Sequence, residues 1–225
     1  VIFLIPLTAF AMNVIAPKSR ARTASYISII LLLISTILSS ILLLKIGSES
    51  AVTRMDWFTV GSYTFEVGVL LDFQGVLLLV IVNMVSLLVH IYSVLYMAKD
   101  PGYTRYFGFL SLFTFAMAGI ILSDNLLMVF VFWELVGLSS YLLIGHWYSK
   151  DSAAKASKKA FIVNRIGDTG FVVALCIIWY QFGTFNLDEI QVLMESSQLQ
   201  NGSWVSGLSA LPAVWLSFMG IGLFL

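Results

Sequence analysis

Four residues set in otherwise apolar stretches have side chains that carry charge or exchange protons: Glu134, Arg165, Asp168 and His90. Glu134 stands near the middle of Asn125–Gly145, a run of 21 residues with no lysine, arginine or aspartate. A charged side chain at the centre of a bilayer costs about 2.5–3.5 kcal/mol on insertion scales, so such residues face a bundle interior or water and pair with something. A carboxylate held there gives a proton a place to pause midway across. Histidine titrates near neutral pH, which suits His90 to a relay. The chemistry these types can perform is ion movement, not bond making.

At 1.5 Å per residue, Glu134 lies about 13 Å from the Asn125 end of its run and Asp168 about 12 Å from the Ala160 end of the next. Arg165 and Asp168 are three residues apart and share a helix face, so they can pair with each other. Glu134 has no cation in its own helix. It is either neutral, with its proton retained by desolvation, or matched by a cation from elsewhere. The bland alternatives are a structural Arg165–Asp168 pair, a hydrogen-bonding Glu134 and a hydrogen-bonded His90. Asn164 is placed to line a polar interior. Asp124 reads as the N-cap of the Glu134 helix, His146 as part of an interfacial aromatic belt with Trp147 and Tyr148, and Cys176 as a helix-packing residue.

The elements that position these residues are apolar runs. Only 11% of the 225 residues are charged, under half of the roughly 25% of soluble domains. A bilayer-crossing helix needs about 20 mostly apolar residues. The runs are 1–16, 25–44, 73–97, 106–123, 125–148, 160–182 and 208–225. The fold class is therefore an all-α polytopic membrane protein of about seven transmembrane helices. "MDWFTVGSYTFEVGVLL" predicts a short outer β-hairpin, and "FNLDEIQVLMESS" an amphipathic surface helix. The chain reads as one transmembrane domain, 1–225, cut at both ends.

Charge in the connections alternates. One set carries Lys18, Arg20, Arg22, Lys99, Arg105, Lys150, Lys155, Lys158 and Lys159 against Asp100 and Asp151. The other carries Lys45 and Arg54 against Glu49, Asp56, Glu66, Asp72, Asp124, Asp188, Glu189 and Glu195. The positive-inside rule puts the first set in the cytoplasm and the second outside. Net charge is zero, so nothing points to nucleic acid, and no metal-ligand spacing exists. No phosphate-cradling glycine loop, nucleophile elbow or haem-attachment motif is present.

"FWELVGLSSYLLIGHWY" followed by "KAFIVNRIGDTGFVVAL" resembles the antiporter-like L subunit of respiratory complex I, as do "HIYSVLYM", "GYTRYFGFLSLF" and "LSDNLLMVF". The similarity runs in order from "IFLIPL" to the last apolar run. It implies an antiporter-like helix bundle in a proton-translocating membrane arm driven by quinone reduction elsewhere in the complex. Flavin, iron–sulfur clusters and quinone would then belong to other subunits, with no cofactor in this chain. The partners would be other membrane-arm subunits and the lipid bilayer, in a bacterial inner membrane. Glu134 matches the helix-five glutamate that pairs with a helix-seven lysine, and Arg165 and Asp168 match the helix-six charges that modulate that pair. The sequence departs from the family in one respect. Leu208–Leu225 holds no charge, so that lysine, and the family's later broken helix, central lysine and lateral helix, are absent from these residues. They would make half of one proton half-channel and would not pump alone. A subunit of a multi-subunit cation/proton antiporter or bicarbonate-uptake complex, and a structural or assembly subunit, are the alternatives.

Overall fold

A computed structural model describes residues 2–47, 50–61 and 63–201; the expected run 208–225 lies outside the described residues. After a short turn at Ile2–Leu4 come α1 (Ile5–Ile15) and α2 (Ala21–Lys45). Strands β1 (Ala51–Val60) and β2 (Tyr63–Leu71) follow, then α3 (Phe73–Tyr96), α4 (Tyr103–Leu122), α5 (Leu126–Ile144), α6 (Asp151–Phe182) and α7 (Leu187–Asn201). Helices α2 to α6 are long and apolar enough to cross a membrane, and the chain is a multi-pass membrane protein.

The α-helices are built for lipid outside and close contact inside. On α2, Ala24, Ser25, Ser28, Leu32, Ser35 and Ser39 are buried, the last five spaced three or four apart, while Ile30, Leu33, Ile34, Ile37 and Ile41 are exposed. Lipid tails are as apolar as leucine, so burying leucine gains little there; small residues gain close backbone approach. Helix α4 sits centrally and packs against α1, α2, α3 and α5. The Phe132 ring of α5 fills the space a β-carbon on Gly119 would take.

The hairpin forms as expected. β1 and β2 pair antiparallel from Ala51↔Leu71 to Val60↔Tyr63, with a bulge between Asp56 and Phe58. Gly61 turns it with φ of 64°, a conformation glycine adopts without steric cost. Asp72 then caps α3, its carboxylate accepting the Gly75 N–H at 2.9 Å. A helix forms in the expected segment as α7, with Leu187 and Leu193 exposed.

Several expectations change. Helix six begins at Asp151, not near 160. The alanine- and lysine-rich segment after it favours helix, and the resulting 32 residues span about 48 Å, more than the hydrocarbon thickness. The cap of α5 is Asn125, whose Oδ1 accepts the Met128 N–H at 2.8 Å, because Asp124 is engaged by Arg54 instead. Cys176 is exposed on α6 rather than packed at a helix contact.

Candidate functional site

Helices α5 and α6 run antiparallel, and their facing residues pair in order: Tyr141 with Phe161, Gly137 with Asn164, Glu134 with Arg165, Trp133 with Asp168, and Phe130 with Phe171. Three- and four-residue steps along each helix generate this facing. Aromatic contacts lie on both sides of the charged residues and fix the rotation of one helix against the other.

Arg165 forms an ion pair with Glu134, and its Nη1 also lies 3.5 Å from Asp168 Oδ2. Both the expected Arg165–Asp168 proximity and a cation for Glu134 are thus present, and the same guanidinium supplies them. The Phe161 ring lies 4.8 Å beneath the guanidinium carbon, a cation–π contact that holds it over the helix interface. Asp168 is the most enclosed member, at 10% side-chain exposure, against 22% for Glu134 and 40% for Arg165. Its Oδ1 accepts the Trp133 indole N–H at 3.0 Å. Two carboxylates and one guanidinium sum to a formal −1 when all are ionised, and to zero with one proton bound. Arg165 has two alternative anions within reach.

His90 is elsewhere. It is fully buried between α3 and α4, with Nδ1 2.8 Å from the Ser86 carbonyl and Nε2 3.2 Å from Ser111 Oγ. Ser86 Oγ in turn meets Thr114 Oγ1 at 2.6 Å. Asn83, Ser86, His90 and Ser93 fall on one face of α3, forming a buried polar seam. The structure brings Glu134, Arg165 and Asp168 together and leaves His90 apart from them.

Two further charged clusters cap the bundle, and the sequence did not disclose the ion pairs that form them. At the hairpin end, Arg54 Nε lies 2.6 Å from Asp124 and 3.6 Å from Glu66, and its Nη2 2.6 Å from Asp188. The hydrogen bond to Asp124 raises the Arg54 pKa above its ordinary value. Burial works to raise the Asp188 carboxyl, but the hydrogen bonds from Arg54 and the Glu189 N–H outweigh it and hold that pKa below its ordinary value.

At the opposite end, His146 is buried rather than interfacial, at 5% exposure. Its Nε2 lies 3.2 Å from Asp100 Oδ1, while the Trp147 indole donates to Asp100 Oδ2 at 2.6 Å. A neighbouring carboxylate drew the ring inward from the aromatic belt. Burial works to raise the Asp100 carboxyl, but hydrogen bonds from Trp147, the Gly102 N–H and His146 together lower its pKa.

Residues 57–107 match the family described as NADH-ubiquinone oxidoreductase (complex I), chain 5 N-terminus. Residues 123–220, which contain Glu134, Arg165 and Asp168, match NADH:quinone oxidoreductase/Mrp antiporter, TM. The chain is similar to the NAD(P)H-quinone oxidoreductase chain 5 of Synechocystis, 42% identical over 77% of this chain and 25% of that protein. The chloroplastic subunit 5 of Zygnema circumcarinatum is 41% identical over 81% of this chain and 27% of that protein. The chain thus spans about a quarter of the length of these relatives. Its fold is shared with the Mrp complex of Dietzia sp., with a TM-score of 0.75 at 22% identity over 98% of this chain and 23% of that one. An archaeal membrane-bound sulfane sulfur reductase gives a TM-score of 0.76 at 18% identity over 98% of this chain and 32% of that one.

Proposed function

We propose that the chain is part of the antiporter-like L subunit of an NADH:quinone oxidoreductase. In this reading it moves protons in the membrane arm while quinone reduction proceeds in other subunits. The observation that carries this is the Glu134–Arg165–Asp168 cluster, with one more carboxylate than cation, inside a segment that matches the complex I/Mrp antiporter family. Proton binding removes the excess negative charge, and Arg165 is free to shift between Glu134 and Asp168. Moving the guanidinium off Glu134 leaves that carboxylate to take a proton; moving it back favours release. His90 is a second protonatable group in the α3–α4 seam.

The basic connections would face the cytoplasm of a bacterial inner membrane and the hairpin the outside. The partners are other membrane-arm subunits and lipid. Flavin, iron–sulfur clusters and quinone reside in those other subunits, with none in this chain. The second reading, a subunit of a cation/proton antiporter, draws on the same family match, which spans both kinds of complex. Affinity purification of the full-length protein from its own membranes separates the two. Quinone-reductase subunits and quinone-linked NADH oxidation in the eluate support the first reading. Antiporter subunits without that activity contradict it.

A further inference from the structure

His146 and Asp100 form a buried pair that the Glu134 cluster does not use. Asp100 Oδ1 accepts the Gly102 N–H at 2.7 Å and faces His146 Nε2 at 3.2 Å; Oδ2 accepts Trp147 Nε1 at 2.6 Å. Three donors on one carboxylate hold it ionised. An ionised carboxylate only accepts hydrogen bonds, so His146 carries its proton on Nε2. Its Nδ1 is then a lone pair, and that atom is buried without a partner among the described residues. Buried polar atoms are rarely left so. Beside an ionised carboxylate, such a lone pair is a proton acceptor.

We propose that the Asp100–His146 pair is a proton-loading site at the basic end of the bundle, feeding the buried seam that contains His90. A proton binds at Nδ1, the ring becomes imidazolium against ionised Asp100, and the formal charge of the pair goes from −1 to zero. The same proton then leaves Nδ1 toward the seam and the pair returns to −1. The proposal rests on reading the chain as a proton-moving subunit.

The surroundings fit a built site. A β-carbon on Gly102 would come within 2.9 Å of His146 Cε1 and 3.1 Å of Arg105 Nη2, so only glycine lets the ring approach Asp100. Arg105 donates to the His146 carbonyl at 2.9 Å, which fixes the backbone beside the ring. Lys150 lies over the Trp147 ring, 5.0 Å from its centroid. From α4, the Tyr106 ring meets the His146 ring edge-on at 5.4 Å, and the Tyr106 hydroxyl lies 3.2 Å from Ser93 Oγ. From α6, Ser157 approaches through Gly145. Ser93 begins the α3 face that continues through His90 and Ser86 to Asn83. At the far end Asn83 Oδ1 is again buried and unpartnered among the described residues. Tyr106, Ser93, His90, Ser86 and Asn83 thus place polar side chains in succession from the basic end of α3 toward its middle.

The test uses the assembled complex in inverted membrane vesicles. His146→Gln keeps a donor toward Asp100 and removes the titrating ring; Asp100→Asn keeps shape and removes the charge. Both are expected to assemble and to slow proton uptake by at least about tenfold, since a positioned proton-transfer group contributes 10²–10⁴-fold. In detergent-solubilised His146→Ala complex, added imidazole restores quinone reduction, whereas thiazole, of the same shape but unprotonated at neutral pH, does not. Equal rescue by both rings, or failure of both Gln and Asn variants to assemble, assigns the pair to packing and overturns the proposal. Glu134→Gln is measured alongside. Wild-type uptake in His146→Gln with slowed uptake in Glu134→Gln overturns the loading site alone; wild-type uptake in both overturns the transport reading with it.

Discussion

Trp133 donates its indole N–H to Asp168 across the α5–α6 contact, 3.0 Å from Oδ1. Trp133 directly precedes Glu134, so one residue pair on α5 holds both carboxylates of the cluster: Glu134 by being one of them, Trp133 by fixing the other. Asp168 is thereby kept where Arg165 can reach it without moving the helix. Trp133→Phe retains the ring packing on Phe171 and removes the donor. A hydrogen bond to a charged group is worth about 1.5–3 kcal/mol, so coupled quinone turnover should fall roughly tenfold while the complex still assembles. Unchanged turnover in fully assembled Trp133→Phe would remove Trp133 from the account.

Arg165 is the shared cation of two carboxylates, which sets an order of severity. Arg165→Ala removes the guanidinium that Glu134 and Asp168 share, and among the described residues leaves both without a cation, so it should lower the amount of assembled complex most. Asp168→Ala leaves the Arg165–Glu134 pair intact and should be milder. The double variant Arg165→Ala/Asp168→Ala should assemble better than Arg165→Ala alone. Native gels of solubilised membranes read the amounts; Asp168→Ala as the worst of the three would contradict the shared-cation geometry.

How much of this arrangement was legible depended on the kind of signal. Glu134, Arg165, Asp168 and His90 stood out because ionisable groups in long apolar runs are costly, and that cost is written in one dimension. The hairpin and the surface helix followed from residue spacing and the turn glycine. That Arg165 serves Glu134 as well as Asp168 was hidden, since it depends on the rotation of α6 against α5. Asp124 and Asn125 are adjacent and equally able to cap α5. Arg54, about 70 residues upstream, takes one and leaves the other to cap, which local sequence does not disclose. His146 beside Trp147 and Tyr148 has the composition of an interfacial belt, and Asp100 from another connection turns it inward.

Arg54 ties β1 to the α4–α5 turn and to α7. Arg54→Met leaves Asp124 buried with no cation and should cost about 3–5 kcal/mol, exposing the hairpin to limited proteolysis. The Asp188 carboxyl has its folded pKa lowered. Its contribution is therefore present above the unfolded value near 3.9 and is lost as pH falls through the lower folded value. Protection of the hairpin from an acid-active protease should persist to about pH 4 and decline below it. Loss of protection already near neutral pH would contradict this assignment.

Orientation follows from the alternation of basic and acidic connections. In a Cys176→Ser background, Ser152→Cys on the extended start of α6 should react with a membrane-impermeant thiol reagent only from the cytoplasmic side. Thr59→Cys on the hairpin should react only from the outside. Reversed labelling would invert the proposed orientation and place the Asp100–His146 pair on the outer face.

In the proposed function, Glu134 handles protons by changing charge beside Arg165. Glutamine keeps the shape and hydrogen-bonding capacity of glutamate and neither gains nor loses a proton at neutral pH. The decisive measurement is proton uptake with quinone-linked NADH oxidation in inverted vesicles carrying Glu134→Gln, normalised to assembled complex. Glu134→Gln should assemble normally, with proton uptake and coupled turnover reduced by at least about a hundredfold, the lower range for loss of a positioned proton-transfer group, and with a milder loss in Glu134→Asp. Wild-type proton uptake in fully assembled Glu134→Gln would contradict it.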